Sequence, residues 1–185
     1  MNFSTCLAGR GSATHLFSFD AQSIRATIQD KRIETNVAIY FFSKSDTHRE
    51  FSNFAAFPIE LDGLRWPTTE HYYQAQKFTD EELRQKIRKA EKPIIAKKLA
   101  EKHRANIRPD WDAVKDDVMY RAVKCKFEAH AELRDLLLAT GQEDIVEAAP
   151  TDYYWGVGRE GTGQNKLGKI IERIRAELRA GGAGG

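Results

Sequence analysis

The sequence predicts a single α+β domain in which a few short strands precede a run of helices. Two strand signals stand early: an apolar, β-branched and aromatic run from Val37 to Phe42, and a hairpin signature over residues 57–66. From Pro67 onward, helical periodicity punctuated by capping residues takes over. The 185 residues, 41% hydrophobic and 30% charged, suffice for one domain with a proper core and do not have the composition of a disordered chain.

Residues 1–36 are weakly patterned and read as an N-terminal extension of unknown role. The domain proper is expected over 37–180, with 181–185 as a flexible glycine-rich tail. Val37-Ala-Ile-Tyr-Phe-Phe42 reads as a buried strand. In Phe57-Pro-Ile-Glu-Leu-Asp-Gly-Leu-Arg-Trp66, Asp62-Gly63 is a strong turn signal between Ile59/Leu61 and Leu64/Trp66. Pro67 suits the first turn of a helix that Thr68 or Thr69 can cap. Asp80 can cap a second helix through Ala90, and Pro93 can start a third that reaches about His103. Asp110 can cap a long helix towards His130, in which Val114, Val118, Ala122 and Cys125 form an apolar stripe widened by Met119, Val123 and Phe127. Leu133 to Leu138 continues the helical pattern to Gly141, a C-cap glycine. Residues 144–149 suit a short strand, 151–165 a structured loop, and Gln164 to Arg179 a final amphipathic helix.

Composition excludes several classes. No apolar run reaches the roughly 18–20 residues that a membrane helix needs, and the N-terminus does not read as a secretory signal. Cys6 and Cys125 lie far apart, so a disulfide framework is not expected and a reducing cytoplasm fits. The five histidines form no HxH or HExxH cluster, so neither a metal site nor a cofactor is expected. A net charge of +2 does not announce a nucleic-acid binder, but nine Lys or Arg between Arg84 and Arg104 face only two acids. Such an excess suits phosphates or, equally, two solvated helix faces.

Three patches have residue types that support chemistry. In Trp66-Pro-Thr-Thr-Glu-His-Tyr-Tyr-Gln-Ala-Gln-Lys-Phe78, helical spacing puts Glu70, Tyr73 or Gln74, and Lys77 on one face. A surface charge pair would look the same, yet Trp66, Tyr72, Tyr73 and Phe78 imply burial, where unpaired charges are costly. The second patch is Asp152-Tyr-Tyr-Trp-Gly-Val-Gly158 with Gly161-Thr-Gly-Gln-Asn165 ahead of a helix. Its glycines admit an anion or sugar close to the backbone, and Tyr153, Tyr154 and Trp155 can stack on a base, although an ordinary glycine-rich loop has the same look. The third is Phe51-Ser-Asn-Phe54, where Asn53 can read a base or sugar hydroxyl or merely make a turn.

Together these segments, with Arg108-Pro-Asp-Trp111, Val118-Met119, Lys126-Phe127, Leu136-Leu-Leu-Ala-Thr-Gly141 and Leu167-Gly168, stand in the order expected of the YbiA-like, or NADAR, family. The resemblance covers roughly Ile39 to Leu178. It implies a compact, helix-rich α+β domain with a small β-sheet and hydrolysis of N-glycosidic bonds. One branch of the family is linked to phosphoribosylamino-pyrimidine intermediates of riboflavin biosynthesis; another removes ADP-ribose from guanine in nucleic acid. The "WPTTEHYYQAQKF" and "RPDW" forms resemble the first branch more.

Cleaving a ribose–nitrogen bond builds positive charge at the anomeric carbon, which a carboxylate can stabilise. Glu70 is the first candidate and Asp152 the second. The resemblance also points to Lys77 as an amine that attacks the anomeric carbon and forms a Schiff base, which requires a lowered pKa. Glu70 and Lys77 are therefore expected as neighbours around a cavity rather than a tight ion pair. Asn53, Trp66, Tyr73, Trp155, Gly156 and Asn165 are expected to contact substrate, and some of Arg88, Lys97, Lys98 and Arg104 to meet phosphates. The expected partner is a small phosphoribosyl or ADP-ribosyl substrate. ADP-ribosylated nucleic acid is the alternative substrate, and a non-catalytic module binding ADP-ribose or NAD is the third reading.

Overall fold

The computed structural model describes residues 38–182. It contains four strands, β1 (Ile39–Phe41), β2 (Ile59–Leu61), β3 (Leu64–Trp66) and β4 (Ile145–Glu147). The six α-helices are α1 (Thr69–Ala75), α2 (Glu81–Arg88), α3 (Pro93–Lys102), α4 (Trp111–Ala129), α5 (Ala131–Ala139) and α6 (Lys166–Gly182). This is the helix-rich α+β architecture that the sequence predicts. The N-terminal extension, residues 1–36, and Cys6 lie outside the described residues.

The strands form two two-stranded sheets. β1 pairs parallel to β4 with Phe41 opposite Glu147, and β2 pairs antiparallel to β3 with Ile59 opposite Trp66. The hairpin turn is the predicted one: Asp62 (φ 53°) and Gly63 (φ 72°) are both left-handed, as a type I′ turn demands. Asp62 then ties the hairpin to two helices, accepting from the Tyr72 hydroxyl of α1 at 2.9 Å and from Arg121 of α4 at 2.6 Å. Trp66, expected at the substrate, is instead fully buried at the hairpin base. Its indole donates to Leu61 O at 3.1 Å and its ring meets Tyr72 edge-on.

Every residue of α1 is buried. Thr68 caps it by accepting from His71 N and hydrogen-bonds His71 Nδ1 at 2.8 Å. His71 Nε2 lies 3.1 Å from Ala90 O, so Nε2 carries the hydrogen, Nδ1 accepts, and burial holds the pKa of the ring below its ordinary value. Asp80 caps α2 as expected, accepting from Leu83 N.

Three boundaries differ from the sequence reading. Asp110 occupies the N-cap position of α4 without capping it, because Arg108 engages both of its carboxylate oxygens. The chain breaks at His130, whose ring lies 2.8 Å from Pro58 O through Nε2 and packs on Phe57; α4 and α5 are separate helices. Helix α6 continues through Gly181 and Gly182, two residues into the segment read as a tail; residues 183–185 are outside the described region.

The core face of α4 carries one residue that the apolar stripe did not include. Lys126 is fully buried and donates to the carbonyls of Glu50, Phe51 and Ser52 at 2.8, 3.2 and 3.1 Å. Burial pulls its pKa down to about 7. Three carbonyl acceptors, one per ammonium hydrogen, oppose that shift and favour the charged form. Cys125, placed in the stripe, is only half-buried and donates weakly to Glu60 O.

Candidate active site

A cleft of about 620 Å³ opens between α1, α3, α4, the end of β4 and the loop after it. That volume lies in the range of small-ligand sites. One wall is built from α1 and the Ser52–Phe54 loop. Glu70, Tyr73 and Gln74 face the cleft from α1, and Lys77 does so from just beyond its C-cap, Gln76. The helix ends two residues before Lys77, yet the common face read from the sequence survives.

Glu70 is 5% exposed and accepts from Gln74 Nε2 at 2.8 Å. Burial raises its pKa, and the Gln74 hydrogen bond with the charges of Lys97 and Lys77 partly offsets that. Burial lowers the pKa of Lys77, opposed by Glu70 and reinforced by the like charge of Lys97. Among the described residues Glu70 and Lys77 sense one another's charge without forming a salt bridge. The Lys77 ammonium instead stands over aromatic rings, 5.2 Å from the centroid of Tyr73 and 5.9 Å from that of Trp111. Tyr73 meets the Trp155 ring edge-on at 5.5 Å, which joins the two walls.

Asn53 lies in the cleft lining but is heavily engaged. Its Oδ1 accepts from the Thr69 hydroxyl at 3.1 Å and its Nδ2 reaches the Met119 sulfur at 3.2 Å, leaving one amide hydrogen to offer. Its carbonyl accepts from Glu70 N, so the loop and α1 are bonded into one unit.

The opposite wall carries Glu147, Asp152 and Trp155. Asp152 Oδ1 accepts from the backbone N–H groups of Tyr154 and Trp155 at 3.0 and 2.7 Å, an Asx turn that fixes both the carboxylate and the indole. Of the basic residues offered for phosphates, Lys97 lines the cleft, joined by Lys44; Arg88, Lys98 and Arg104 do not. Arg88 binds Gln85 and Arg65 O instead.

Glu147 is the residue that the sequence reading missed. It is 8% exposed, at the end of β4, and its carboxyl has no hydrogen-bond partner among the described residues. Burial, with the negative charges of Asp152 and Glu70, raises its pKa to about 8. A signal was available: alternation along β4 puts Glu147 on the same buried face as Ile145.

Two residues expected to touch substrate serve Glu147 instead. Asn165 does not line the cleft. Its Oδ1 accepts from Glu147 N at 3.0 Å and its Nδ2 donates to Ile145 O at 2.8 Å. Gly156 packs so tightly on this strand that a Cβ there would sit 2.7 Å from Glu147 O, and Val157 N donates to that same oxygen at 3.0 Å. With Trp66 in the core, six of the nine expected site residues surround the cleft: Asn53, Glu70, Tyr73, Lys77, Asp152 and Trp155. No group of three or more potential metal-ligating side chains occurs among the described residues, and none of their helices is long and apolar enough to cross a membrane.

Acids, a partly desolvated lysine and aromatic rings around one cleft of a helix-rich α+β domain are the residue types that small-ligand sites with acid–base or nucleophilic chemistry use. The chain belongs to the NADAR family: the NADAR domain model matches residues 40–179. It is similar to N-glycosidase YbiA of Escherichia coli (strain K12), 46% identical over 158 residues that cover 85% of this chain and 95% of that protein. It is also 39% identical over 160 residues to the Riboflavin biosynthesis protein PYRR, chloroplastic, of Zea mays, covering 78% of this chain and 26% of that longer protein. The NMR structure of E. coli YbiA superposes with a TM-score of 0.75 at 45% identity, over 81% of this chain and 89% of the other.

Proposed function

We propose that this chain is an N-glycosidase that hydrolyses the ribose–nitrogen bond of a phosphoribosylated base, with phosphoribosylamino-pyrimidine intermediates of riboflavin biosynthesis as substrates. The observation that carries the reading is the pairing of buried Glu70 with half-buried Lys77 on one wall of the cleft, not joined by a salt bridge. Burial favours the neutral amine at Lys77, the form that attacks an anomeric carbon. Glu70 stands beside it to stabilise the positive charge that grows there, and Asp152 offers a second carboxylate from the facing wall. Tyr73 and Trp155 form an aromatic wall for the ribose or base, while Lys97 and Lys44 supply positive charge for a phosphate. The names of the E. coli and maize relatives support both the bond type and the metabolic setting.

The test is incubation with a phosphoribosylamino-pyrimidine and, separately, with an oligonucleotide bearing ADP-ribosylated guanine, followed by product analysis. Free base and ribose phosphate from the first substrate are expected. Lys77→Ala and Glu70→Ala should each lower turnover by about 10²-fold or more. Borohydride should trap a substrate adduct on the unaltered protein and none on Lys77→Ala. Cleavage of the oligonucleotide alone would move the substrate to nucleic acid, and binding without any product would leave a non-catalytic module.

A further inference from the structure

We propose that Glu147 is the general acid of this site, delivering a proton to the base nitrogen as the ribose–nitrogen bond breaks. The assignment rests on the N-glycosidase reading above and adds a residue to it. Amine and amide nitrogens are poor leaving groups when they depart as anions. A group that only stabilises the anomeric carbon therefore leaves half of the bond cleavage without help.

The geometry points to Glu147 for three reasons. Its carboxyl lines the cleft, is more than nine-tenths buried and has no hydrogen-bond partner among the described residues. A carboxyl that faces the cleft and accepts no hydrogen bond from the described residues is left to engage a substrate atom. Second, its backbone is held on both sides by residues brought from elsewhere: Asn165 accepts from its N–H, Val157 donates to its carbonyl, and Gly156 leaves room for that approach. Three separate loop residues thus converge on the position of one strand-end side chain. Third, the other acids have competing work. Glu70 accepts from Gln74 on the Lys77 wall, and Asp152 Oδ1 accepts two backbone hydrogen bonds. Glu147 feels the negative charge of Asp152 on its own wall and of Glu70 on the facing wall, with the positive charges of Lys126 and Lys97 as weaker neighbours. Burial and that company keep it protonated to about pH 8, so it holds a proton to give at neutral pH.

The C1′–N bond breaks and its electron pair stays on the base nitrogen, which takes the proton from Glu147. The anomeric carbon gains a bond to the Lys77 amine or to a water oxygen. Hydrolysis consumes one water in total, and the proton that this water sheds restores Glu147.

The experiment compares two leaving groups on the same sugar phosphate: an amino-pyrimidine, which needs a proton to depart, and 4-nitrophenolate, which does not. Glu147→Gln should lose about 10²-fold or more on the first substrate and less than about fivefold on the second. The unaltered enzyme should show an alkaline limb near pH 8 with the first substrate and none with the second, a readout that requires no variant to fold. Equal losses on both substrates, no loss on either, or the same alkaline limb with both would overturn the assignment. An unaltered protein that cleaves neither substrate would overturn the N-glycosidase reading itself, and this assignment with it.

Discussion

The two walls of the cleft are built on different supports. The α1 wall hangs on a cation: Lys126, from α4, holds the Glu50–Ser52 carbonyls and so the loop that is bonded to α1. The β4 wall hangs on a neutral amide: Asn165, ahead of α6, holds the backbone of Ile145 and Glu147. The side chains they present differ in the opposite sense. On the α1 wall the acid already has a partner in Gln74, whereas on the β4 wall Glu147 has none. A charged support thus stands behind the wall whose acid is hydrogen-bonded and a neutral support behind the wall whose Glu147 is not, although Gln74 Oε1 on the first wall is itself buried without a partner. Carbonyls gathered around one point attract a cation, whereas a strand edge that offers one N–H and one C=O is matched atom for atom by a primary amide.

The largest effect should come from the cationic support. Lys126→Met keeps the bulk but takes the ammonium from the Glu50 and Phe51 carbonyls and leaves Ser52 O with Ala55 N alone, and a loss of about 3–5 kcal/mol in denaturant unfolding is expected. A loss below about 1 kcal/mol would show that the loop stands without it.

Next comes the unsatisfied carboxyl. The pKa of Glu147 is raised on folding from 4.5 to about 8, so the folded state binds a proton that the unfolded chain releases. Its contribution is fully present below pH 4.5 and is lost as pH rises through about 8. Glu147→Gln should therefore be more stable than the parent at pH 8.5 and close to it at pH 4.5. Equal melting temperatures for the two proteins at both pH values would contradict the shift.

The smallest of the three is Asn165→Ala, expected to cost about 2 kcal/mol by stranding Glu147 N and Ile145 O. Asn165 also has a positive φ of 51°, which an alanine resists. If the neutral support acts only on its own wall, this variant should leave the environment of Lys77 unchanged, and the Lys77 pKa measured by NMR is the check.

The same comparison explains what the sequence made legible. The α1 wall is local: one helix and its flanks carry Glu70, Tyr73 and Lys77, so a 3.6-residue period was enough to align them. The β4 wall is assembled from β4, the Asp152 turn and the residue before α6, and no short-range period spans those distances. Asn165 and Gly156 were therefore singled out for substrate contact, whereas the contacts they make are with the β4 backbone, because a motif shows that a residue is constrained and not what constrains it. Trp66 failed for a related reason, since an aromatic beside a site and one in the core look alike in one dimension. Lys126 was passed over in a stripe read for apolar residues, although it lies seven residues after Met119 on the same face. The break at His130 depends on Pro58 O, more than seventy residues away, and helical propensity cannot report such a partner.

The wholly buried helix α1 also has a meaning for folding. Seven residues are far too few to hold a helix in water, where nucleation alone outweighs the hydrogen bonds gained. The Asp62 turn, α4 and the Asn53 loop must already surround this segment before it can persist, so its formation belongs to the late, non-local part of assembly. Glu70 and Lys77 acquire their shifted proton affinities only at that moment. A chain still folding carries two ordinary solvated side chains there, and the lowered proton affinity of Lys77 comes into existence together with the cavity that encloses it.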